Sequence, residues 1–309
     1  MAMRFGAAFW VQRADWRSLR GAAVEAERAG FSSLWIDDHL LNDEGDPDED
    51  KLEGWTTLAA LAAVTDRARL GLLVGANTLR NPGLVAKMAV TVDAISDGRA
   101  IVGLGAGWFG REHAAFGIDF GASMGERIDR LDESAGLIRR LLDGERVTHA
   151  GRFYTLDDAI VRPRPAQARL PILIGGSGRR KTLRVAARHA DLWNGFGDPA
   201  ELRDAQAALD AHCADVGRDP AAIERTAAQN VVVRATPEAA EAAFRAIASS
   251  HAIQPGEETL DLAGPPEAIA AGLRGWVDAG VAEVIWVFRQ PWDLETIRSL
   301  PAVRAALAG

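Results

Sequence analysis

Acid–base chemistry is suggested by three polar side chains that follow apolar runs of this 309-residue chain. His39 comes shortly after the run Ser33–Ile36, and Glu112 and His113 follow the run Ala100–Leu104. An imidazole titrates near neutral pH, and a carboxylate can accept or hold a proton. We therefore take His39, Glu112 and His113 as catalytic candidates. The structural alternative is a satisfied capping or core histidine at position 39 and a polar helix start at 112–113.

Glycine residues at the ends of other apolar runs could let a flat ligand approach the backbone. Gly75, Gly105 and Gly107 occupy such positions.

A glycine-rich segment precedes the basic residues Arg179–Lys181. Such a turn at a helix start directs N–H groups and the positive end of the helix dipole toward an anion. We predict a phosphate-binding turn here, opening a helix over Arg179–His189. The alternative is a tight turn followed by a solvated basic face. The turn consists of Gly175, Gly176, Ser177 and Gly178.

Eight short apolar runs alternate with longer amphipathic stretches, which predicts parallel strands buried on both faces and separated by helices. A glycine fingerprint of an open dinucleotide-binding sheet is missing after the first run. We therefore predict an α/β fold, a single-domain (β/α)8 TIM barrel over residues 1–309 with short insertions. The predicted strands are Met3–Phe9, Ser33–Ile36, Ala68–Val74, Ala100–Leu104, Pro171–Ile174, Asp191–Asn194, Ala227–Arg234 and Glu283–Phe288.

Three segments exceed the minimal repeat. Asp37–Glu53 holds nine acidic residues and one lysine, which predicts a solvated loop unsuited to an anionic substrate. Val147–Leu156 is typical of a hairpin turning at Ala150–Gly151, and Ala252–Ala263 is typical of a turn-rich linker. Because active residues of such barrels follow the strands, all the candidate residues above should share one face.

The composition narrows the function further. The net charge of −8 has the opposite sign to that of a typical nucleic-acid-binding surface, so we expect no nucleic-acid partner. No apolar run is long enough to span a membrane. The start at Met1 shows no signal-peptide layout, so we expect a cytoplasmic protein. The chain has one cysteine, Cys213, so we expect no internal disulfide. Its histidines lack the spacing of metal ligands, so we expect no metal site.

Several segments together, in the correct order up to about Val216, resemble the bacterial-luciferase-like monooxygenase superfamily. The branch that uses the deazaflavin coenzyme F420 is the most similar. The segments are Trp35–His39, Glu53–Leu61, Asn81–Lys87, Asp97–Arg99, Gly103–Trp108 with Glu112-His113, and Pro171–Gly176.

The resemblance implies a cofactor ring lying in the mouth of the barrel, near His39 and with Asp38 helping to bind it. It also implies a non-prolyl cis peptide within Val74–Ala76, expected at Val74-Gly75, and a phosphate held after the fifth strand. The cofactor-binding residues are then Asp38, His39, Val74, Gly75, Ala76, Gly105, Gly107, Trp108, Gly175, Gly176, Ser177 and Gly178.

Two positions differ from the sugar-phosphate dehydrogenases of this superfamily, which carry Trp and Glu where this chain has Asp43 and Trp108. A neutral small-molecule substrate is therefore expected. The leading hypothesis is hydride transfer with F420. The alternatives are an FMN-dependent monooxygenase and a non-catalytic flavin-binding protein. The resemblance further implies a homodimer through the helices predicted at Thr56–Thr65 and Pro82–Ile95.

Overall fold

The computed structural model describes residues 3–253 and 258–309. Its helices connect strands that run in one direction around a barrel. The strands are β1 Arg4–Trp10, β2 Ser33–Ile36, β3 Arg69–Leu72, β4 Gly75–Ala76, β5 Ala100–Gly105, β6 Val147–Ala150, β7 Thr155–Ala159, β8 Ile172–Gly175, β9 Leu192–Gly195, β10 Glu224–Gln229, β11 Val231–Val233, β12 Leu262–Gly264 and β13 Glu283–Arg289. The helices are α1 Trp16–Ala29, α2 Gly54–Ala62, α3 Pro82–Ile95, α4 Gly110–Phe116, α5 Met124–Leu142, α6 Thr182–His189, α7 Pro199–Asp215, α8 Pro237–Ser250, α9 Pro266–Asp278 and α10 Leu294–Ala308.

The sheet closes on itself. β1 pairs in parallel with both β2 and β13, and β3 pairs with β5. The ring is completed by β8, β9 and β10, each parallel to its neighbours. The predicted (β/α)8 barrel is thus confirmed, and the apolar runs fall within a few residues of its strands.

The barrel has two apolar cores. The larger lies between the outer faces of the strands and the surrounding helices, and the smaller fills the barrel interior. Trp10, Val74 and Val287 pack on the interior core while remaining partly exposed. Because the interior is filled by side chains, ligands must bind above it, at the strand ends. The interior residues are Ala8, Trp35, Leu73, Ile101, Leu173, Leu192, Ala228 and Ile285.

The seventh predicted strand, Ala227–Arg234, is wrong as a single element. The barrel strand β10 ends at Gln229, and β11 pairs instead with β12 outside the ring. Asn230 separates them, because its N–H donates to Asp261 (2.7 Å) and its side-chain amide donates to Glu258 (2.6 Å). The chain therefore leaves the barrel at this residue.

The insertions have different outcomes. The hairpin is confirmed, with β6 antiparallel to β7. The centre of the linker predicted over Ala252–Ala263, residues 254–257, lies outside the described residues, as do Met1 and Ala2. Among the residues that the structure describes, no helix has the length and apolarity needed to cross a bilayer.

Candidate active site

A cavity of about 1030 Å³ opens at the carboxyl ends of the barrel strands. Its volume is at the upper end of the range for small-molecule and cofactor sites. His39 and Gly176 both line it, so the structure places them on one face of the barrel as expected. The sequence-predicted residues that line the cavity are Asp38, His39, Val74, Ala76, Gly105, Gly107, Trp108, Gly175, Gly176, Ser177 and Gly178.

Val74 forms part of the cavity wall between two glycine-ended strands. A Cβ at Gly105 would lie 2.6 Å from Cγ2 of Val74, and one at Gly175 would lie 2.8 Å from its Cγ1. Only glycine at these positions leaves room for the Val74 side chain. Gly75 does not itself line the cavity: a Cβ there would meet the Gly103 carbonyl oxygen at 2.8 Å.

The non-prolyl cis peptide lies one residue earlier than expected, at Leu73-Val74. The placement at Val74-Gly75 is therefore wrong. Gly75 and Ala76 already form the strand β4, in parallel register with Leu104 and Gly105 of β5. The cis peptide thus lies in the two-residue connection between β3 and β4.

Asp38 binds the segment from Gly75 to Arg80 that follows the cis peptide. Its buried carboxylate accepts a hydrogen bond from the Ala76 N–H (3.1 Å) and two from the Arg80 guanidinium (2.7 and 2.9 Å). Arg80 also pairs with Glu53, the N-cap of α2. Burial lowers the pKa of Arg80, but Asp38 and Glu53 outweigh it and raise the pKa above its ordinary value. Arg80 therefore remains charged, and through Asp38 and Glu53 it links the segment after β2 and the end of β4 to α2.

His39 and Glu112 form a hydrogen-bonded pair at the cavity wall. Nδ1 of His39 lies 3.1 Å from Oε1 of Glu112, whose other oxygen accepts from the Leu40 N–H (2.6 Å). Glu112 is fully buried and does not line the cavity, whereas His39 does. The carboxylate thus fixes the ring orientation from behind. His39 and Asp38 have different partners, Glu112 and Arg80 respectively.

The charge state of His39 is set by opposing influences. Burial lowers its pKa, but the hydrogen bond to Glu112 and the charges of Asp43, Asp37 and Glu112 together raise the pKa above the ordinary histidine value. A carboxylate beside an imidazole favours the protonated ring. His39 is therefore suited to exchanging a proton near neutral pH.

The structure does not bring His113 to the cavity. Its Nε2 lies 2.7 Å from the Thr78 hydroxyl, its Nδ1 lies 2.8 Å from the Phe109 carbonyl oxygen, and the side chain is fully buried. Both ring nitrogens are thus satisfied by protein. This geometry matches the structural interpretation of His113 and gives it no route to a ligand.

Aromatic side chains form much of the cavity rim. Trp108 is 59% exposed, and its ring lies edge-on to His39 with centroids 5.4 Å apart. Phe196, which follows β9, and Trp10, the last residue of β1, also line the cavity. The region beside His39 is therefore apolar on one side, which excludes water and suits a flat or uncharged ligand.

The segment Gly175–Gly178 connects β8 to the turn before α6: Gly175 is buried at the strand end, Gly176 is partly buried, and Ser177 and Gly178 are exposed. Gly176 adopts a φ of +116°, which side-chain-bearing residues rarely reach, and its N–H donates to the Asn194 carbonyl oxygen (3.1 Å). The helix begins at Thr182 rather than at Arg179, and its N-cap residue Lys181 makes no side-chain hydrogen bond to the helix. The helix start is thus three residues farther from the turn than predicted.

The basic cluster next to this turn is partly neutralised. Arg179 pairs with Asp204 (3.3 Å), and Lys181 pairs with Asp129 (2.7 Å). An anion at the turn would therefore depend mainly on backbone N–H groups.

Comparison with known proteins places the chain in a family. Residues 3–272 match the family model described as luciferase-like monooxygenase. The chain belongs to this family. It is 31% identical over 266 residues to the F420-dependent hydroxymycolic acid dehydrogenase of Mycobacterium tuberculosis, a match that covers 84% of this chain and 72% of that protein.

The chain is also similar to a second F420-dependent enzyme in sequence and to a solved F420-dependent enzyme in fold. The chain is 38% identical over 170 residues to the F420-dependent glucose-6-phosphate dehydrogenase of Kineococcus radiotolerans, covering 55% of this chain and 49% of that protein. Several of its curated relatives are likewise matched over about half to two thirds of their length. The structure of an F420-dependent secondary alcohol dehydrogenase in complex with an F420-acetone adduct has the same fold, with a TM-score of 0.84 at 20% identity, covering 98% of this chain and 99% of that one.

The acidic loop of this luciferase-like chain differs from the solvated segment expected over Asp37–Glu53. Lys51 is almost fully buried between Asp37 (2.5 Å) and Asp43 (3.4 Å). Arg289, at the end of β13, pairs with Glu44 (2.9 Å) and is also nearly buried. Much of the loop's charge near the cavity is therefore compensated by cations.

Three residues in or beside the cavity were not singled out from the sequence. Trp10 could have been found by the rule that active residues follow strands, and Lys51 by being the one lysine in an acidic segment. No local signal links Arg289 to Glu44, since the two are 245 positions apart. In the described parts of the chain, no group of three His, Cys, Asp or Glu side chains is arranged to hold a metal ion.

Proposed function

We propose that this chain is an oxidoreductase that transfers a hydride between the deazaflavin coenzyme F420 and a neutral small molecule. The observation that carries the proposal is the His39–Glu112 pair, which presents one imidazole to a large cavity at the strand ends. The F420-dependent relatives named above support the choice of cofactor.

The cavity residues fit such a cofactor. Val74, lying between Gly105 and Gly175, offers an apolar wall against which a flat ring can pack. The turn after β8 would offer the backbone N–H groups of the exposed residues Ser177 and Gly178 to a phosphate, whereas the Gly176 N–H is already bonded to the Asn194 carbonyl oxygen. When bound, the deazaflavin would supply a carbon centre that accepts or donates a hydride.

The protein's own contribution is orientation, water exclusion and a proton. Glu112 holds Nδ1 of His39, so that Nε2 is available to the cavity. His39 would take the hydroxyl proton of an alcohol during oxidation, or protonate the oxygen of a carbonyl compound during reduction. Trp108 and Phe196 would keep this region dry.

The substrate class follows from the charges around His39. Asp43 and Glu44 line the cavity, whereas the cations that pair with them, Lys51 and Arg289, do not, and Trp108 adds an apolar surface. The carboxylates would repel a phosphorylated substrate. They would not repel an uncharged alcohol, aldehyde or ketone. We therefore propose a neutral substrate and not a sugar phosphate.

Turnover tests this proposal. Wild-type protein would be incubated with oxidised F420 and a panel of neutral alcohols, and with reduced F420 and the matching carbonyl compounds, with sugar phosphates as the comparison. We expect F420-dependent turnover of at least one neutral pair under nitrogen as well as in air. Turnover that requires FMN and oxygen would instead assign the alternative, a flavin monooxygenase.

A further inference from the structure

A second carboxylate faces His39 from the side opposite to Glu112. Nε2 of His39 lies 3.5 Å from Oδ2 of Asp43, while Nδ1 lies 3.1 Å from Glu112. Asp43 lines the cavity and Glu112 does not. The Nε2 atom, and not Nδ1, is therefore the proton-exchanging nitrogen on the cavity side.

Asp43 is held firmly in this position. Its Oδ1 accepts a hydrogen bond from the side-chain amide of Gln12 (2.7 Å), and the Lys51 ammonium lies 3.4 Å from the same oxygen. Gln12 is fully buried, and the Lys51 side chain is 2% exposed. These donors restrict the Asp43 side chain, so its other oxygen stays directed to the imidazole.

We propose that Asp43 is a positioning residue that stabilises the second proton on Nε2 of His39. A separation of 3.5 Å is too long for a strong hydrogen bond, yet short enough for a substantial electrostatic attraction. It also leaves Nε2 accessible to a substrate oxygen. The role of this proton in catalysis rests on the proposed function, whereas the charge state of the ring does not.

The proton step balances in both directions. During alcohol oxidation, the substrate O–H bond breaks and an Nε2–H bond forms on His39, while the hydride leaves the substrate carbon for oxidised F420. The resulting imidazolium then lies between Asp43 and Glu112. During carbonyl reduction, His39 would return the same proton to the substrate oxygen, the Nε2–H bond would break, and the carbonyl carbon would accept a hydride from the reduced coenzyme.

The charged groups that act on His39 are few. Asp37 and Asp43 belong to the loop after β2, and Glu112 belongs to α4. The neighbouring rings of Trp108 and Phe109 carry no charge. Lys51 offsets part of the charge of Asp37 and Asp43. Removing the charge of Asp43 should therefore change the titration of His39 by a measurable amount.

Histidine NMR of the ligand-free protein tests the proposal. Ring signals of wild type, D43N and D48N would be titrated, with H39N used to assign the His39 signal. Asp48 is an exposed acidic residue of the same loop and serves as the matched control. We expect the wild-type pKa of His39 to lie above the ordinary histidine value of about 6.5 and to fall in D43N, with little change in D48N.

Two results would overturn the proposal. One is an unchanged pKa of His39 in folded D43N, and the other is a wild-type pKa at or below the ordinary value. The second measurement remains decisive even if D43N does not fold. Because no cofactor is present in either titration, a failure of F420 binding would overturn the proposed function without affecting this result.

Discussion

Nδ1 of His39 lies 3.1 Å from Oε1 of Glu112, although the two residues are 73 positions apart in the chain. The barrel brings them together because His39 follows β2 and Glu112 lies on the short helix after β5. A buried carboxylate behind an imidazole fixes the ring and stabilises its protonated form. This pair is the basis of the predictions on catalysis.

Replacing His39 with Asn should reduce turnover by about 10²–10⁴-fold, the usual contribution of a positioned acid or base. Affinity for the cofactor should fall much less than turnover, because the proposed phosphate turn at Gly176 follows β8 whereas His39 follows β2. Steady-state kinetics and a binding titration would separate the two effects. H189N is the matched control, since His189 pairs with Asp132 (2.8 Å) outside the cavity. Loss of turnover in both variants would contradict a specific role for His39.

The pH dependence should differ in sign between the two reaction directions. Alcohol oxidation needs a neutral His39 to accept a proton, so kcat should rise as the pH increases through the raised pKa. Carbonyl reduction needs the protonated ring, so kcat should fall over the same range. Both midpoints should lie above about 6.5 and move to lower pH in E112Q. Profiles that do not move in E112Q would remove Glu112 from the account.

Replacing Gly176 with Asp should weaken cofactor binding at least tenfold. The variant places a negative charge at the proposed phosphate turn, and one charge-assisted hydrogen bond is worth roughly 1.5–3 kcal/mol. The matched control is G217D, because Gly217 also has a positive φ (+68°) but does not line the cavity. Circular dichroism would establish that both variants fold. Equal F420 affinity in wild type and G176D would mean that the phosphate binds elsewhere.

Local patterns were sufficient to predict the barrel strands and most of the cavity. Strands buried on both faces are visible in the sequence as apolar runs. The residues after them form the cavity, because the parallel strands all end on one face of the barrel. The end of β10 at Gln229 was missed because Asn230 is bound by residues from another part of the chain. The polar pair Gln229-Asn230 interrupts the apolar run at this break, and it was the one local sign of the strand end.

The electrostatics of the site could not be predicted in the same way. Asp43 was noted only as a departure from the sugar-phosphate dehydrogenases, since a loop without periodicity does not reveal which carboxylates turn inward. The loop was expected to be solvated, but Lys51 is buried in ion pairs with Asp37 and Asp43. Such contacts depend on the tertiary fold, and composition alone gives only their total charge.

Replacing Arg80 with Ala should destabilise the protein by about 3–5 kcal/mol, because it leaves the buried Asp38 carboxylate without its bidentate partner. The free energy of unfolding would be measured by urea denaturation. R140A is the control: Arg140 forms an exposed pair with Glu145, and such pairs contribute about 0–1 kcal/mol. Equal stability of the two variants would show that Asp38 is satisfied without Arg80.

The chain should form a dimer through α2 and α3. On α3, the apolar side chains of Leu84 and Ile95 are 50% and 45% exposed, and a dimer interface would bury them. Light scattering at micromolar concentration should give about twice the chain mass of 33.0 kDa. L84E should shift the protein toward the monomer, whereas a wild-type mass of one chain would refute the dimer.

The proposed cofactor can be tested without knowing the substrate. F420 and FMN would each be titrated into the protein under nitrogen, with quenching of tryptophan fluorescence as the signal, because Trp10 and Trp108 line the cavity. We predict saturable quenching by F420, at least tenfold tighter than by FMN, and a loss of that affinity in G176D. Tight binding of FMN with weak or no binding of F420 would contradict the account.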